Sequence, residues 1–170
     1  VVNWPELTNL VVIPNFVFSN TSLKSDLSSK RVVAVGRYSW QKGFDMLIDA
    51  WKIVSARHPD WHLDIYGSGD NISYQKLADE LCLSSSVTCH KSVDHVYEKY
   101  SESSIYVLSS RYEGFCLVLL EAMGTGLPVV SFACPCGPRD IIEDGVSGYL
   151  VEAGDVRKMA EKICYLIETT

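Results

Sequence analysis

Two cations and two carboxylates stand where short apolar runs give way to helix-length segments, and their types suit an anion joined to hydroxyl groups. Arg37 and Lys42 follow the run Arg31-Val-Val-Ala-Val-Gly36 and are framed by Gly36 and Gly43. Arginine offers a planar fork of donors and lysine a compact point charge, so together they suit a doubly charged phosphate. A helix expected from Phe44 would add free N–H groups at the same turn. The plainer alternative is a pair of solvated loop charges. Glu113 and Glu121 lie in Ser109-Ser-Arg-Tyr-Glu113-Gly114-Phe115-Cys116-Leu117-Val118-Leu-Leu-Glu121-Ala-Met. Eight steps around a helix leave two residues about 80° apart. Glu113 should precede the helix, at the mouth of a cleft. Glu121 falls two turns in, among apolar residues, where burying a carboxylate is costly without partners. The vicinal diol of a ribose would supply two donors to such a group. Otherwise Glu121 faces solvent on an amphipathic helix, and Glu113 is a carboxylate favoured by the helix dipole. The amides of Gly114, Phe115, Cys116, Leu117 and Val118 open that helix and could face a phosphate.

The elements that must position these groups alternate along the chain. Arg31–Gly36 reads as a strand buried on both faces. Phe44, Leu47, Ile48, Trp51 and Val54 recur at helical spacing, and His58-Pro59 ends that helix. A second strand, Trp61 to Tyr66, closes on Gly67-Ser68-Gly69. Asp70 is placed to cap a helix running to about Leu83. A strand over 87–89, a helix over 94–101 and a strand over 105–108 follow. A helix over 115–124 then leads to a strand over 128–131. A short helix over 138–143, a turn at Asp144-Gly145, a strand over 148–151 and a terminal helix capped by Asp155 complete the pattern. The inner face of that last helix is read as Val156, Met159, Ala160, Ile163, Leu166 and Ile167. Strands separated by helices imply right-handed crossovers, hence an α/β fold with a Rossmann-like parallel sheet of about six strands flanked by helices. Residues 1–30, with Pro5, Pro14 and a serine-rich run, read as an arm or interdomain linker before a domain over 31–170. Within that arm Leu10 to Ile13 could form a strand. Ligands of such sheets bind beyond the carboxyl ends of the strands, which selects loops 36–43, 67–70, 89–94, 109–116 and 132–138. His90 ends one of those strands and could line the cleft.

Composition narrows the classes. The 170 residues carry a net charge of -6, which argues against nucleic acid as the main partner. No apolar run reaches the roughly 18–20 residues of a membrane span. The opening Val1-Val2-Asn3-Trp4-Pro5 is neither a signal peptide nor a natural start, so the chain is expected to be a piece of a longer one. Six scattered cysteines read as reduced thiols of a cytoplasmic protein. Cys134-Pro135-Cys136 has no second close Cys/His pair to complete a zinc site. Gly67-Ser-Gly69-Asp70 lacks the third glycine of a dinucleotide fingerprint, and neither a P-loop nor a nucleophile elbow is present. There is also no Asp-x-Asp pair to chelate a metal–diphosphate complex.

Taken together, Val35-Gly-Arg37-x4-Lys42-Gly43-x-Asp45-x-Leu47-Ile48-x-Ala50, Tyr66-Gly67-x-Gly69, Ser109-Ser-Arg-Tyr-Glu113-Gly-Phe-x-Leu-Val-x-Leu-Glu121-Ala-Met and Gly126-x-Pro128-Val-Val resemble a known family. The likeness is to the carboxy-terminal, donor-binding domain of family-4 retaining glycosyltransferases of GT-B architecture. It covers about residues 10–168, and bacterial members that make surface polysaccharides are closest in character. The resemblance implies that Arg37 and Lys42 hold the donor diphosphate and that Glu113 contacts the donor sugar. Gly36, Gly67 and the amides of Gly114 to Val118 would line the donor, Glu121 would take the ribose, and the loop from His90 to Val93 would receive the base. It implies a UDP-sugar as donor, no metal, and no other cofactor. A glycan or lipid-linked acceptor would be held by an amino-terminal domain that this chain lacks, with peripheral contact at the inner membrane face through lipid-linked acceptors. The fragment alone would bind nucleotide and catalyse little. Lys91 and Cys116 stand where the family commonly has glycine. Two other functions share the pattern: half of a sugar-nucleotide epimerase, or a non-catalytic nucleotide-binding module.

Overall fold

The computed structural model describes residues 22–169. Six strands, β1 (Arg31–Val35), β2 (His62–Gly67), β3 (Val87–Lys91), β4 (Ile105–Leu108), β5 (Val129–Phe132) and β6 (Tyr149–Val151), form one sheet in the order β3-β2-β1-β4-β5-β6. Every pairing is parallel, with Val32 opposite both Leu63 and Ile105. The helices are α1 (Phe44–Arg57), α2 (Asn71–Glu80), α3 (Val96–Ser101), α4 (Leu117–Gly124), α5 (Pro138–Ile141) and α6 (Val156–Thr169), with a 3-10 turn at Trp40–Lys42. The expected α/β architecture is therefore present.

A parallel sheet needs helices on both faces, because each crossover must return to the same end. The burial of β1 shows this residue by residue. Val32 and Ala34 join a core with α1, α2 and α6, while Val33 joins a second core with α3 and α4. On α1 the expected face of Phe44, Leu47, Ile48, Trp51 and Val54 is buried. On α6 the inner face includes Met159, Ala160, Ile163 and Leu166, and it gains Cys164. Asp70 accepts from the Ser73 amide at 3.1 Å and Asp155 from the Lys158 amide at 2.9 Å, so both expected caps are made.

Several boundaries move for local reasons. The helix expected from Phe115 begins at Leu117, because Cys116 is left-handed, with φ 70°. The helix expected to reach Leu83 stops at Glu80, two residues before the left-handed Cys82, with φ 61°. Helix α3 starts at Val96 rather than Asp94, and α5 ends at Ile141, before the extended Ile142. Strand β3 runs two residues further than expected, to Lys91. The strand expected at Leu10–Ile13 lies outside the described residues. The described part of the expected arm is pinned to the amino-terminal end of the strands. There the Ser25 amide donates to Thr125 O at 3.0 Å, and Ser29 and Ser104 hydroxyls lie 3.2 Å apart.

Strand order reverses between β1 and β4, since successive crossovers leave β1 toward opposite edges. This opens a crevice beyond their carboxyl ends. The backbones there run unusually close. A Cβ on Gly67 would lie 1.7 Å from Gly36 O, and one on Gly43, at φ 63°, would lie 2.1 Å from Ser109 O. Gly114 has nothing within 4 Å of its Cβ position. Gly67→Ala should therefore lower unfolding stability by about 3 kcal/mol, and Gly114→Ala by under about 0.5 kcal/mol, both read from urea denaturation.

Candidate functional site

The crevice is walled by the loop after β1, residues 36–43, and the loop after β4, residues 109–116. Lys42 reaches across it. Its Nζ lies 2.6 Å from Glu113 Oε1, and the two side chains are only 13% and 7% exposed. Ser110 Oγ donates to the same carboxylate oxygen at 2.5 Å. Among the described residues Glu113 Oε2 takes no partner, so it is left to accept from a ligand hydroxyl. The absence of a side chain on Gly36 accommodates the lysine stem, which passes 3.1 Å from where a Cβ would stand. Arg37 is exposed and, among the described residues, makes no ion pair or hydrogen bond. One cation is thus held by a carboxylate and the other is available.

Beside Arg37 a hollow of about 270 Å³ opens between the ends of β1 and β2 and the start of α3. Gly36, Tyr66, Gly67, Ser92, Val93 and Val96 line it. Gly36, Arg37, Gly67 and Val93 are therefore brought together as expected. His90 is not among its walls. Its ring stacks on Tyr66 with centroids 4.4 Å apart, and its Nε2 lies 2.7 Å from Asp64 Oδ1. Asp64 is 3% exposed and also receives Arg31 Nη1 at 2.5 Å. The histidine is thus turned to a buried carboxylate on the sheet face, while its carbonyl accepts from Tyr38 at 2.8 Å.

Glu121 is half-buried, and its partner is Tyr100 of α3, whose hydroxyl donates to Oε2 at 3.3 Å. Burial and the nearby carboxylate push the Tyr100 pKa far above its ordinary value, so the phenol stays a donor. The solvent-facing alternative for Glu121 is thus set aside in favour of a carboxylate oriented by one donor. Cys116, although left-handed, leaves the amides of Leu117 and Val118 in the first turn of α4, where no intrahelical acceptor exists for them. Gly114 and Phe115 precede that turn rather than opening the helix.

The sequence reading gave no role to Ser110, Tyr100, Asp45 or Arg111, although all but Tyr100 stand within the quoted motifs. Arg111 lies two residues before Glu113, inside the motif itself, and the only available signal was a cation in a loop. It forms a bidentate pair with Asp45, at 2.9 and 2.6 Å, and covers the Trp40 ring at 4.7 Å. Its hydrogen bonds hold the Asp45 carboxyl below the usual carboxylate range. A depressed folded pKa means this pair contributes fully above the ordinary aspartate pKa and is lost only as pH falls through the lowered value.

All six cysteines are free thiols. Burial pushes Cys116 up to about 12 and Cys134 up to about 11, which makes both poor nucleophiles near neutrality. Among the described residues no three His, Cys, Asp or Glu side chains are placed to hold a metal ion, and no helix is long and apolar enough to cross a membrane. A larger hollow of about 590 Å³ lies at the opposite end of the sheet, but its walls, among them Leu27, Met123, Val146 and Leu166, include no charged side chain. Chemistry rather than size therefore selects the crevice.

Comparison with known proteins identifies a family and structures of the same fold. The family described as glycosyl transferases group 1 matches residues 29–169. An uncharacterised glycosyltransferase of Haemophilus influenzae is 36% identical over 155 residues, covering 91% of this chain and 44% of the relative. A solved structure of a Staphylococcus aureus TarM variant, in complex with fondaparinux, alpha-GlcNAc-glycerol and UDP, superposes with a TM-score of 0.90 at 29% identity. It covers 96% of this chain and 33% of that one. The pneumococcal O-GlcNAc transferase GtfA, in complex with UDP and GlcNAc, gives a TM-score of 0.77 at 28% identity, over 87% of this chain and 31% of that one. The chain spans less than half the length of these relatives.

The Lys42–Glu113 pair can be tested by a double-mutant cycle. Lys42→Met leaves a buried carboxylate without its cation and should cost about 3 kcal/mol of unfolding stability. Adding Glu113→Gln should recover more than about half of that loss, again read from urea denaturation.

Proposed function

The chain belongs to the group 1 glycosyl transferases, and from that membership we propose that it is the carboxy-terminal, donor-binding half of a family-4 retaining enzyme of GT-B architecture. Residues 31–170 form the nucleotide-sugar domain in this reading, and residues 1–30 lead into it from an amino-terminal acceptor domain. The observation that carries it is the buried Lys42–Glu113 pair at the switch-point crevice, with the unpaired Arg37 beside it. A nucleotide sugar is the ligand that answers all of these groups at once. Its diphosphate takes Arg37 and Lys42, with the Leu117 and Val118 amides adding donors from α4. Its sugar hydroxyl donates to Glu113, and its ribose diol donates to Glu121, already oriented by Tyr100. Its base enters the hollow lined by Tyr66, Val93 and Val96, where His90 acts from behind through Tyr66.

Chemistry follows from where charge grows. As the bond from the anomeric carbon to the diphosphate breaks, negative charge builds on the departing oxygens. Cations already in place stabilise that charge more than they stabilise the ground state. With two protein cations on the leaving group, this reading assigns the reaction no metal and no other cofactor. The acceptor is a glycan or a lipid-linked sugar, held by the amino-terminal domain of the longer protein. The reaction then takes place in the cytoplasm, with peripheral contact at the inner membrane face where the acceptor is lipid-linked. UDP as carrier is supported by the UDP complexes of the two structural relatives.

Calorimetric titration of this chain with UDP, GDP and ADP should show selective binding of UDP. Glu121→Ala should weaken it by at least about tenfold, the loss of a charged hydrogen-bonding partner. Equal affinity for all three nucleotides, or none, would remove the UDP-sugar assignment. In the full-length protein, Lys42→Ala should slow sugar transfer by about a hundredfold. Transfer at the parental rate would show that Lys42 has no part in it. Interconversion of a free nucleotide sugar without an acceptor would point instead to an epimerase.

A further inference from the structure

Lys42 and Glu113 reach each other from loops that are 71 residues apart in sequence. A lysine is a point charge on a flexible four-carbon stem, so the ion pair cannot by itself fix how far apart the two loops stand. Pairing of β1 with β4 brings the loops together, and Ser109 Oγ donates to Lys42 O at 2.9 Å at their base; most of the remaining bonds between them run through Arg111. Arg111 Nη1 and Nη2 donate to the two carboxylate oxygens of Asp45, at 2.9 and 2.6 Å, and Nη1 also donates to Trp40 O at 2.6 Å. The Arg111 amide donates to Gln41 O at 2.8 Å, and Gln41 Nε2 returns a bond to Tyr112 O at 3.0 Å. Every one of these bonds joins the Lys42 loop, or the first turn of α1 behind it, to the Glu113 loop. The guanidinium plane also lies over the Trp40 ring.

We infer that Arg111 is a positioning residue: by tying Asp45, Trp40 and Gln41 to its own loop it sets the reach of Lys42 toward the diphosphate, without touching the nucleotide. This rests on the donor-binding reading above. Arg111 is not among the residues that line the hollow beside Arg37, and its side chain is 20% exposed. Lysine would not serve in its place, because a bidentate fork to a carboxylate defines both distance and plane, and a single ammonium defines neither. The Asp45 end of the brace is 41% exposed, so the pair should matter little to global stability. Its consequence is the placement of one cation.

That separation between stability and placement gives the test. In this chain, acetylation of Lys42 by an amine-selective reagent is followed by mass spectrometry, with the 61%-exposed Lys30 as internal reference. Arg111→Ala should raise the labelling of Lys42 relative to Lys30 by about fivefold, because a misplaced lysine leaves Glu113 for solvent more often. Arg111→Lys should rise nearly as far. In parallel, Arg111→Ala should weaken UDP binding by about tenfold and leave uridine, which lacks the diphosphate, within about twofold. Asp45→Asn keeps the side-chain shape and should show both effects in milder form. It also decides the matter if Arg111→Ala does not fold. The charge-reversed pair Asp45→Arg with Arg111→Asp should restore part of both. Unchanged Lys42 labelling overturns the inference, and so does parallel weakening of UDP and uridine, which would mean general loosening. The labelling arm needs no nucleotide, so a chain that fails to bind UDP refutes the donor-binding reading while the brace is still decided.

Discussion

A buried carboxylate must have a partner, and in this protein that requirement organises the functional end of the sheet. Glu113 is almost wholly withdrawn from water. Unpaired, it would cost several kcal/mol. Its two partners come from different directions: Ser110 from its own loop and Lys42 from the neighbouring crossover. The pair therefore exists only when β1 and β4 lie side by side with their carboxyl ends level. Such adjacency is what reversal of strand order at β1 provides. The two core clusters on either side of β1 hold it there, each drawing on alternate residues of the same short strand.

The same logic recurs at smaller scale. Glu121 sits among apolar neighbours and is held by the Tyr100 phenol. Asp64 lies within the sheet and is met by Arg31 and His90. In each case a carboxylate that the local sequence would leave isolated is satisfied by a residue far along the chain. Such sites are satisfied only by the assembled fold. The difference lies in what remains open. Asp64 is enclosed by its partners, whereas Glu113, at the crevice, and Glu121, on α4, each keep an oxygen that no described residue engages.

How much of this could be read beforehand follows from the range of each interaction. The strands and helices were legible because periodicity is local: Phe44, Leu47, Ile48, Trp51 and Val54 mark one buried face without any tertiary information. Caps such as Asp70 and Asp155 were legible for the same reason. The ends of α2 and α4 were not, because left-handed Cys82 and Cys116 carry no compositional sign of that conformation, which glycine or asparagine usually adopts. Loops 36–43 and 109–116 were found by the rule for open sheets and by motif, and the structure brings them together. What could not be read were pairings across the fold. Nothing in the spacing joins Lys42 to Glu113 or Arg111 to Asp45, and nothing near His90 shows that its ring turns to Asp64 and away from the cleft.

The Lys42–Glu113 pair also bears on which anion the crevice should select. Arg37 is free to attract phosphate, and the positive end of α4 adds to it, but Lys42 arrives already neutralised. A simple phosphate ion that recruits Lys42 would strip Glu113 of its counter-charge and leave a carboxylate buried beside the incoming anion. This arrangement is penalised twice, by lost pairing and by like-charge repulsion. A nucleotide sugar avoids the penalty, because the molecule that brings the anion to Lys42 also brings hydroxyl donors to Glu113. In the donor-binding reading the ion pair is therefore a filter as well as a scaffold. It favours a diphosphate that carries a sugar over a bare one, although a bare nucleoside diphosphate still draws on Arg37 and on part of the charge of Lys42. Placement of the lysine decides how strongly either diphosphate is held, since a lysine out of register reaches neither and leaves Glu113 without its cation. The rigidity supplied by Arg111, Asp45 and Trp40 thus belongs to affinity for the diphosphate as much as to the choice between ligands.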